Sequence, residues 1–306
     1  MPELITIDHA ADVLQYLRLS NDRWQVAKAT TTSHTWLFRG QGDAGWCLVP
    51  TSLRNFHSPK SDYSHPMPWA ALASEFSATT GFLRFADELG LTLIKPSEFD
   101  GFSKRLKFFA DGGSDKPPVL SEKLLDAFAL AQHHGIKTRL LDWSASPLAA
   151  LFFAAKDAFE VEDERTHFAV WACPQFHSGQ SRIKVIRPSL TQNTFARNQR
   201  SYLMYDNEVD LHYTPDAGWP THDSVIDEAH SPLLGRFPGL RKIIIPQTEA
   251  GEILSLLFQE DYSLAHLMPT LDNVVTTMRF LRKLEPYRSR RICNVIGIPE
   301  ISGNDE

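Results

Sequence analysis

Apolar positions along the chain follow two periods, and the switches between them predict its elements. After Asp8, a possible N-cap, Ala11, Val13, Leu14 and Leu17 recur at helical spacing and predict a short amphipathic helix. Thr35-Trp36-Leu37-Phe38 reads as a buried strand ending at Arg39-Gly40-Gln41-Gly42, where glycines around a polar residue mark a turn with close backbone approach. A second short strand is expected over 46–49, stopped by Pro50. Residues 69–110, rich in Ala, Phe and Leu with scattered charges, suit a pair of helices interrupted around 91–96. Gly112-Gly113-Ser114 and Pro117-Pro118 form a flexible break.

Beyond it the pattern predicts a helix over 122–133, a strand over 136–141, and a helix over 148–158 opened by Ser146-Pro147. Strands follow over 168–172, 182–186, 202–205 and 242–245, being rich in β-branched and aromatic residues. Between the last two, the Gly- and Pro-bearing stretch 214–239 reads as a long irregular connection. Helical spacing returns over 253–258 and 274–284. Short strands among helix pairs, without regular alternation, imply an α+β fold rather than a doubly wound sheet. No internal repeat interrupts this order.

Composition narrows the picture. With 306 residues, 42% of them apolar, the chain can bury one large core or two modest ones. Its net charge of −6 is spread evenly, so bulk charge does not favour duplex nucleic acid. Three distant cysteines, Cys47, Cys173 and Cys293, argue against a disulfide framework and against a CxxC-type zinc site and are expected to be buried thiols. The N-terminal segment lacks the pattern of an export signal and no apolar run is long enough to span a bilayer, so a cytoplasmic, non-membrane protein is expected. The P-loop, dinucleotide-fold, zincin and α/β-hydrolase motifs are missing.

What remains is polarity in apolar surroundings. Arg39 directly follows an apolar strand, and its planar fork suits a phosphate or a carboxylate; a structural ion pair is the alternative. Gln132-His133-His134-Gly135 precedes Thr138-Arg139-Leu140-Leu141-Asp142-Trp143-Ser144, which runs into an apolar helix. Charges so placed must be satisfied internally, and a structural Arg139 to Asp142 network is the plain explanation. His133 and His134 have no companions at metal-ligand spacing, so no metal is expected. Gln199 enters a strand and either points inward or serves as a hydrogen-bonded turn residue.

These residues resemble a known family. Leu37-Phe38-Arg39-Gly40-Gln41, followed by Trp46, Leu48, Pro50 and Ser52-Leu53-Arg54, is similar to the Phe-Arg-Gly signature of the FRG domain. The block from Ala131-Gln132-His133-His134-Gly135 through Thr138-Arg139-Leu140-Leu141-Asp142-Trp143-Ser144 to Phe153-Ala154 matches that family's most recognisable motif. Weaker likeness in Lys242 to Pro246 and around Met268-Pro269 extends the resemblance over most of the chain. It implies an N-terminal helical segment over 1–31, an FRG domain over 32–280 and a C-terminal extension over 281–306.

A more distant resemblance is to ADP-ribosyltransferases of the Arg-Ser-Glu type. Phe38-Arg39-Gly40 matches their first element, and Asp142-Trp143-Ser144 falls on their Ser-Thr-Ser positions, with Pro147, Ala150, Phe153 and Ala154 at matching offsets. It implies a mixed β core of short strands surrounded by helices, with NAD as the substrate. Arg39, Asp142, Ser144 and Gln199 would be its catalytic residues, and Phe38, Arg39, Gly40, Gln41, Thr138, Arg139 and Trp143 would contact the dinucleotide. Arg39 would hold the pyrophosphate, Ser144 would shape the floor under the nicotinamide ribose, and Trp143 or Trp36 could stack on the nicotinamide.

The signature glutamate has no clear match. Gln199 is the first candidate and Glu208 the second, so a transferase using Gln, one using Asp142, and a nucleotide-binding domain without turnover all stay open. The resemblance further implies a toxin or phage-defence effector acting on a macromolecular acceptor, RNA, DNA or protein, with an antitoxin or chaperone as a possible partner. Arg279, Arg282, Lys283, Arg288, Arg290 and Arg291 make the C-terminal region locally basic, which fits a single-stranded nucleic acid or a solvated helix face.

Overall fold

The computed structural model describes residues 1–24, 36–54, 67–91, 99–161, 166–174, 182–188, 194–230 and 239–288. Seven strands form one mixed sheet: β1 (Glu3–Thr6), β2 (Trp36–Gln41), β3 (Leu141–Ser144), β4 (His167–Pro174), β5 (Ile183–Ile186), β6 (Ser201–Asp206) and β7 (Arg241–Pro246). Their spatial order is β1-β7-β4-β2-β3-β6-β5, and every neighbouring pair is antiparallel except β1 with β7. The fold is α+β, as the interspersed pattern predicts.

Strand alternation decides which helices lie where. Phe38 is opposite Ser144 and Ser144 is opposite Ser201, so these three share a face, and Leu203 and Tyr205 follow on it two and four residues along β6. At the β7, β4 and β2 end, this face is covered by α1 (Ala10–Leu17), α5 (Pro147–Glu160) and α8 (Ala250–Gln259), which pack around Phe38, Phe168, Val170 and Ile243. At the β6 end it is covered by α2 (Pro68–Glu88), α3 (Phe99–Ala110) and α4 (Glu122–His133), through Phe76, Phe102, Phe128 and Leu203. The two helical groups leave a gap between them over β2, β3 and β6. The reverse face buries Leu37, Trp143, Trp171 and Met204 beneath α7 (His222–His230), whose Ile226 joins that cluster. Three further helices complete the described fold: α6 (Thr194–Asn198), α9 (Leu264–Leu267) and α10 (Leu271–Lys283).

Several predicted elements move or vanish. Residues 46–49 form no strand: Gln41 Nε2 and the Asp223 carboxylate tie this loop down through the Cys47 carbonyl and the Leu48 amide instead. The strand expected over 136–141 begins only at Leu141, because the chain leaving α4 must first turn at Gly135, whose φ is +90°. The stretch read as irregular holds α7, and β1 is a strand with little apolar signal because its residues are mostly exposed at the sheet edge. Asp8 does not cap α1; the Ala10 amide donates to the Glu249 carboxylate at 2.8 Å, a partner 239 residues away. Cys173 is buried and its thiol is pushed up to about 12 by burial, but Cys47 is exposed. Cys293, Arg290 and Arg291 lie outside the described residues. No helix among the described residues is long and apolar enough to cross a membrane.

Candidate active site

The gap between α4 and α5 is a cavity of about 290 Å³. Its floor is the shared face of β2, β3 and β6, contributing Phe38, Asp142, Ser144 and Ser201, and its sides are the last turn of α4 and the first turns of α5. Seven residues singled out from the sequence line it: Phe38, Arg39, Gly40, Asp142, Trp143, Ser144 and Gln199. Two long motifs, distant in the chain, therefore meet in one place.

Local rules build the pieces. Ser146 caps α5 by accepting from the Ala149 amide at 3.2 Å, with Pro147 in the first turn. Gly40 is demanded by packing, since a Cβ there would collide with the Ala150 carbonyl and with Ala154 of α5. Gly135 ends α4 in the left-handed conformation that favours glycine, its amide donating to the Gln132 carbonyl, and so sends the chain back past Gln132.

Arg39 occupies the break in the sheet. β2 and β3 share a single paired position, Phe38 with Ser144, and then part; across the opening Arg39 Nη1 donates to the Asp142 main-chain carbonyl at 2.6 Å. No carboxylate among the described residues forms an ion pair with Arg39, and its solvent-shielded Nε has no hydrogen-bond partner. Burial pushes its pKa down to about 10, opposed by the Asp142 charge, so it remains a cation at neutral pH. A guanidinium left with neutral partners at the edge of a cavity is a ready receptor for an anion.

Asp142 carries the opposite charge into the same space. One carboxylate oxygen accepts from Gln132 Nε2 at 2.7 Å, and the other has no hydrogen-bond partner among the described residues. The Gln199 side-chain amide is likewise unengaged among them, while its main-chain N–H donates to the Phe195 carbonyl. Ser144 is not a free hydroxyl: it donates to the Gln199 carbonyl at 2.6 Å and accepts from the Ser146 amide at 2.8 Å. It therefore holds the β3 to α5 turn against the approach to β6 and forms part of the cavity floor.

Residues 34–163 match the sequence model of the FRG domain. The chain contains an FRG domain. No match was found among curated proteins or among solved structures. The matched stretch supplies β2, β3 and α2 to α5, and thus Arg39 and Asp142; β6 and Gln199, which close the FRG cavity, come from residues after it.

Three expected contact residues do not line the FRG cavity. Gln41 accepts from the Trp171 indole at 2.6 Å and donates to the Cys47 carbonyl on the reverse face. Arg139 is committed to Glu75 at 3.0 Å and Asp210 at 2.7 Å, all three almost fully buried, rather than to Asp142. Burial works against the Arg139 charge, but Asp210 and Glu75 outweigh it and its pKa is raised. Thr138 is buried and donates to the Gln132 side chain, one step removed from the cavity. Neither tryptophan offers a stacking surface: Trp143 and Trp36 are 2% and 3% exposed and belong to the two core clusters on opposite faces. Glu208 is outside the lining and faces His212.

The structure adds Gln132, His133, Ala150, Phe153, Ser201 and Met268 to the lining. Gln132 and His133 stand inside the quoted motif, so their signal was visible; Met268, from the loop before α10, had only its place in a weak block. His133 has a buried Nε2 without a partner, and burial lowers its pKa against the opposing pull of the Asp142 charge. His134 points elsewhere and stacks on Phe82 at 5.5 Å. Among the described residues no group of three His, Cys, Asp or Glu side chains is placed to hold a metal ion.

Proposed function

We propose that the FRG domain binds NAD in this cavity and transfers ADP-ribose to a macromolecular acceptor, as an ADP-ribosyltransferase-like enzyme of the toxin or defence type. The observation that carries the reading is the meeting of an unpaired guanidinium, Arg39, with a carboxylate, Asp142, that keeps one oxygen free in the same cavity. The pyrophosphate would lie on Arg39 through charge-assisted hydrogen bonds. A volume near 290 Å³ is at the small end for ligand pockets, so the nicotinamide ribose half would enter and the adenosine half would lie outside.

In the transfer, the bond from ribose C1′ to the nicotinamide nitrogen breaks and its electron pair leaves with nicotinamide. The Asp142 carboxylate stabilises the positive charge developing on the ribose, a preorganised electrostatic role. The acceptor nucleophile then bonds to C1′, and its proton passes to solvent water. Phe153, only partly buried at the cavity wall, supplies the apolar contact for the nicotinamide that neither tryptophan gives.

A second reading, a nucleotide-binding module without turnover, is favoured by one observation: the residue at the third position, Gln199, offers an amide that cannot act as a general base. One experiment separates the two. The protein is incubated with labelled NAD and cell lysate, and the products are digested separately with protease, RNase and DNase. Nicotinamide release and label transfer that Arg39→Ala abolishes support the transferase; NAD binding without release supports the module; neither binding nor release sinks both.

A further inference from the structure

We propose that Gln132 is the positioning residue for Asp142, at the end of a one-way chain of hydrogen-bond donors that begins in the backbone before β3. This deepens the transferase reading and rests on it for its catalytic meaning, while the chain itself stands on geometry alone.

The chain has four members. The Leu140 amide donates to Thr138 Oγ1 at 3.2 Å; the Thr138 hydroxyl donates to Gln132 Oε1; Gln132 Nε2 donates to one Asp142 carboxylate oxygen at 2.7 Å. Its direction is forced at both ends. A main-chain N–H can only donate, and an ionised carboxylate can only accept. Turning the Gln132 amide over would set its oxygen against the Asp142 carboxylate and leave the Thr138 hydroxyl facing an NH₂ group. Aligned donors polarise one another, so each bond is stronger for the presence of the next.

The surroundings keep the chain from drifting. Thr138 is fully buried, and its own carbonyl accepts from the Ser52 amide at 3.2 Å. Gln132 sits in the last turn of α4, where Gly135 folds the chain so that Thr138 comes back beside it. Asp142, by contrast, is exposed, and this chain supplies the hydrogen bond that its carboxylate receives. Without Gln132 the carboxylate would be free to turn about its side-chain torsions. With it, one oxygen is fixed and the other is presented to whatever occupies the cavity. A ligand hydroxyl or a developing cation meets a carboxylate already oriented, which is how preorganisation lowers a barrier.

The test has a ligand-free part and a catalytic part. In a two-dimensional ¹H–¹⁵N spectrum, the Gln132 side-chain amide pair is identified by its loss in Gln132→Met. It should move in Asp142→Asn and again in Thr138→Val, which keeps the volume of the threonine. An amide pair unmoved by both substitutions overturns the proposal whatever the protein binds. In turnover of NAD, Gln132→Met should lower kcat by about 10–100-fold, the factor equivalent to one hydrogen bond to a charged group, with KM changed far less. Gln132→Glu sets two carboxylates together, so its activity should recover as pH falls and they come to share a proton, a gain the wild type does not show. Loss of kcat in step with loss of thermal stability, and no such recovery, would make Gln132 merely structural and overturn the positioning role. If the amide moves as expected while the wild type neither binds NAD nor releases nicotinamide, the chain stands and the transferase reading falls.

Discussion

Arg39 Nη1 donates to the main-chain carbonyl of Asp142 at 2.6 Å, in the place where the β2 to β3 ladder has already ended. A side chain thus replaces a backbone donor, and the sheet opens without leaving that carbonyl unsatisfied. The opening is what gives a cation access to a cavity floored by β-strands.

The anion-receptor role proposed for Arg39 predicts a graded loss. Hydrogen bonds to charged groups contribute about 1.5–3 kcal/mol each, so Arg39→Ala should weaken ADP-ribose binding by at least about tenfold in calorimetric titration. Arg39→Lys keeps the charge but loses the fork, and should recover only part of that affinity. Equal affinity in wild type and Arg39→Ala would remove Arg39 from the site.

Arg139 should behave as a stability residue. Glu75→Gln or Asp210→Asn leaves the buried guanidinium short of a counter-charge, and breaking such a pair costs about 3–5 kcal/mol. Urea titration should show the midpoint falling accordingly. A variant that folds as firmly as the wild type but loses ligand binding would return Arg139 to the site.

Gly40→Ala tests the fit of β2 on α5. The added methyl has no room beside the Ala150 carbonyl, and overpacking of this kind costs about 1–3 kcal/mol or more. A lowered Tm is expected, with far less effect from Gly81→Ala, where a Cβ meets open space.

His222 sets an acid limit. Its ring is 1% exposed, and burial pushes its pKa down to about 4, against an ordinary value near 6.5. The unfolded chain therefore binds the proton first as pH falls. Its contribution is complete above about pH 6.5 and is lost progressively toward about pH 4, amounting to about 3 kcal/mol over the window. His222→Gln should flatten the stability profile between those limits, whatever it does to the level; an unchanged slope would show that another group carries the acid transition.

Much of this protein was legible because burial leaves a period in the sequence. The α5 signal, Ser146-Pro147 followed by an apolar run, gave the helix; β-branched and aromatic residues gave β4, β5, β6 and β7. Arg39, Asp142, Ser144 and Gln199 were also visible, as polar residues where solvation could not explain them, and they do share one cavity. Their jobs were less visible. Ser144 could be read from the sequence only as part of the cavity floor, its backbone partners being invisible there, and Arg139 reads like Arg39 until Glu75, 64 residues earlier in the chain, is found beside it.

The sequence by itself determined the alternating and helical segments, the α+β class and the polar cluster, because each depends on neighbours within a few residues. Only the tertiary structure decided which of two similar arginines borders the cavity and which is neutralised in the core, since a counter-charge is supplied by whichever distant segment the fold brings near. Electrostatic pairing acts through space, and the order of residues along the chain records no distances across it.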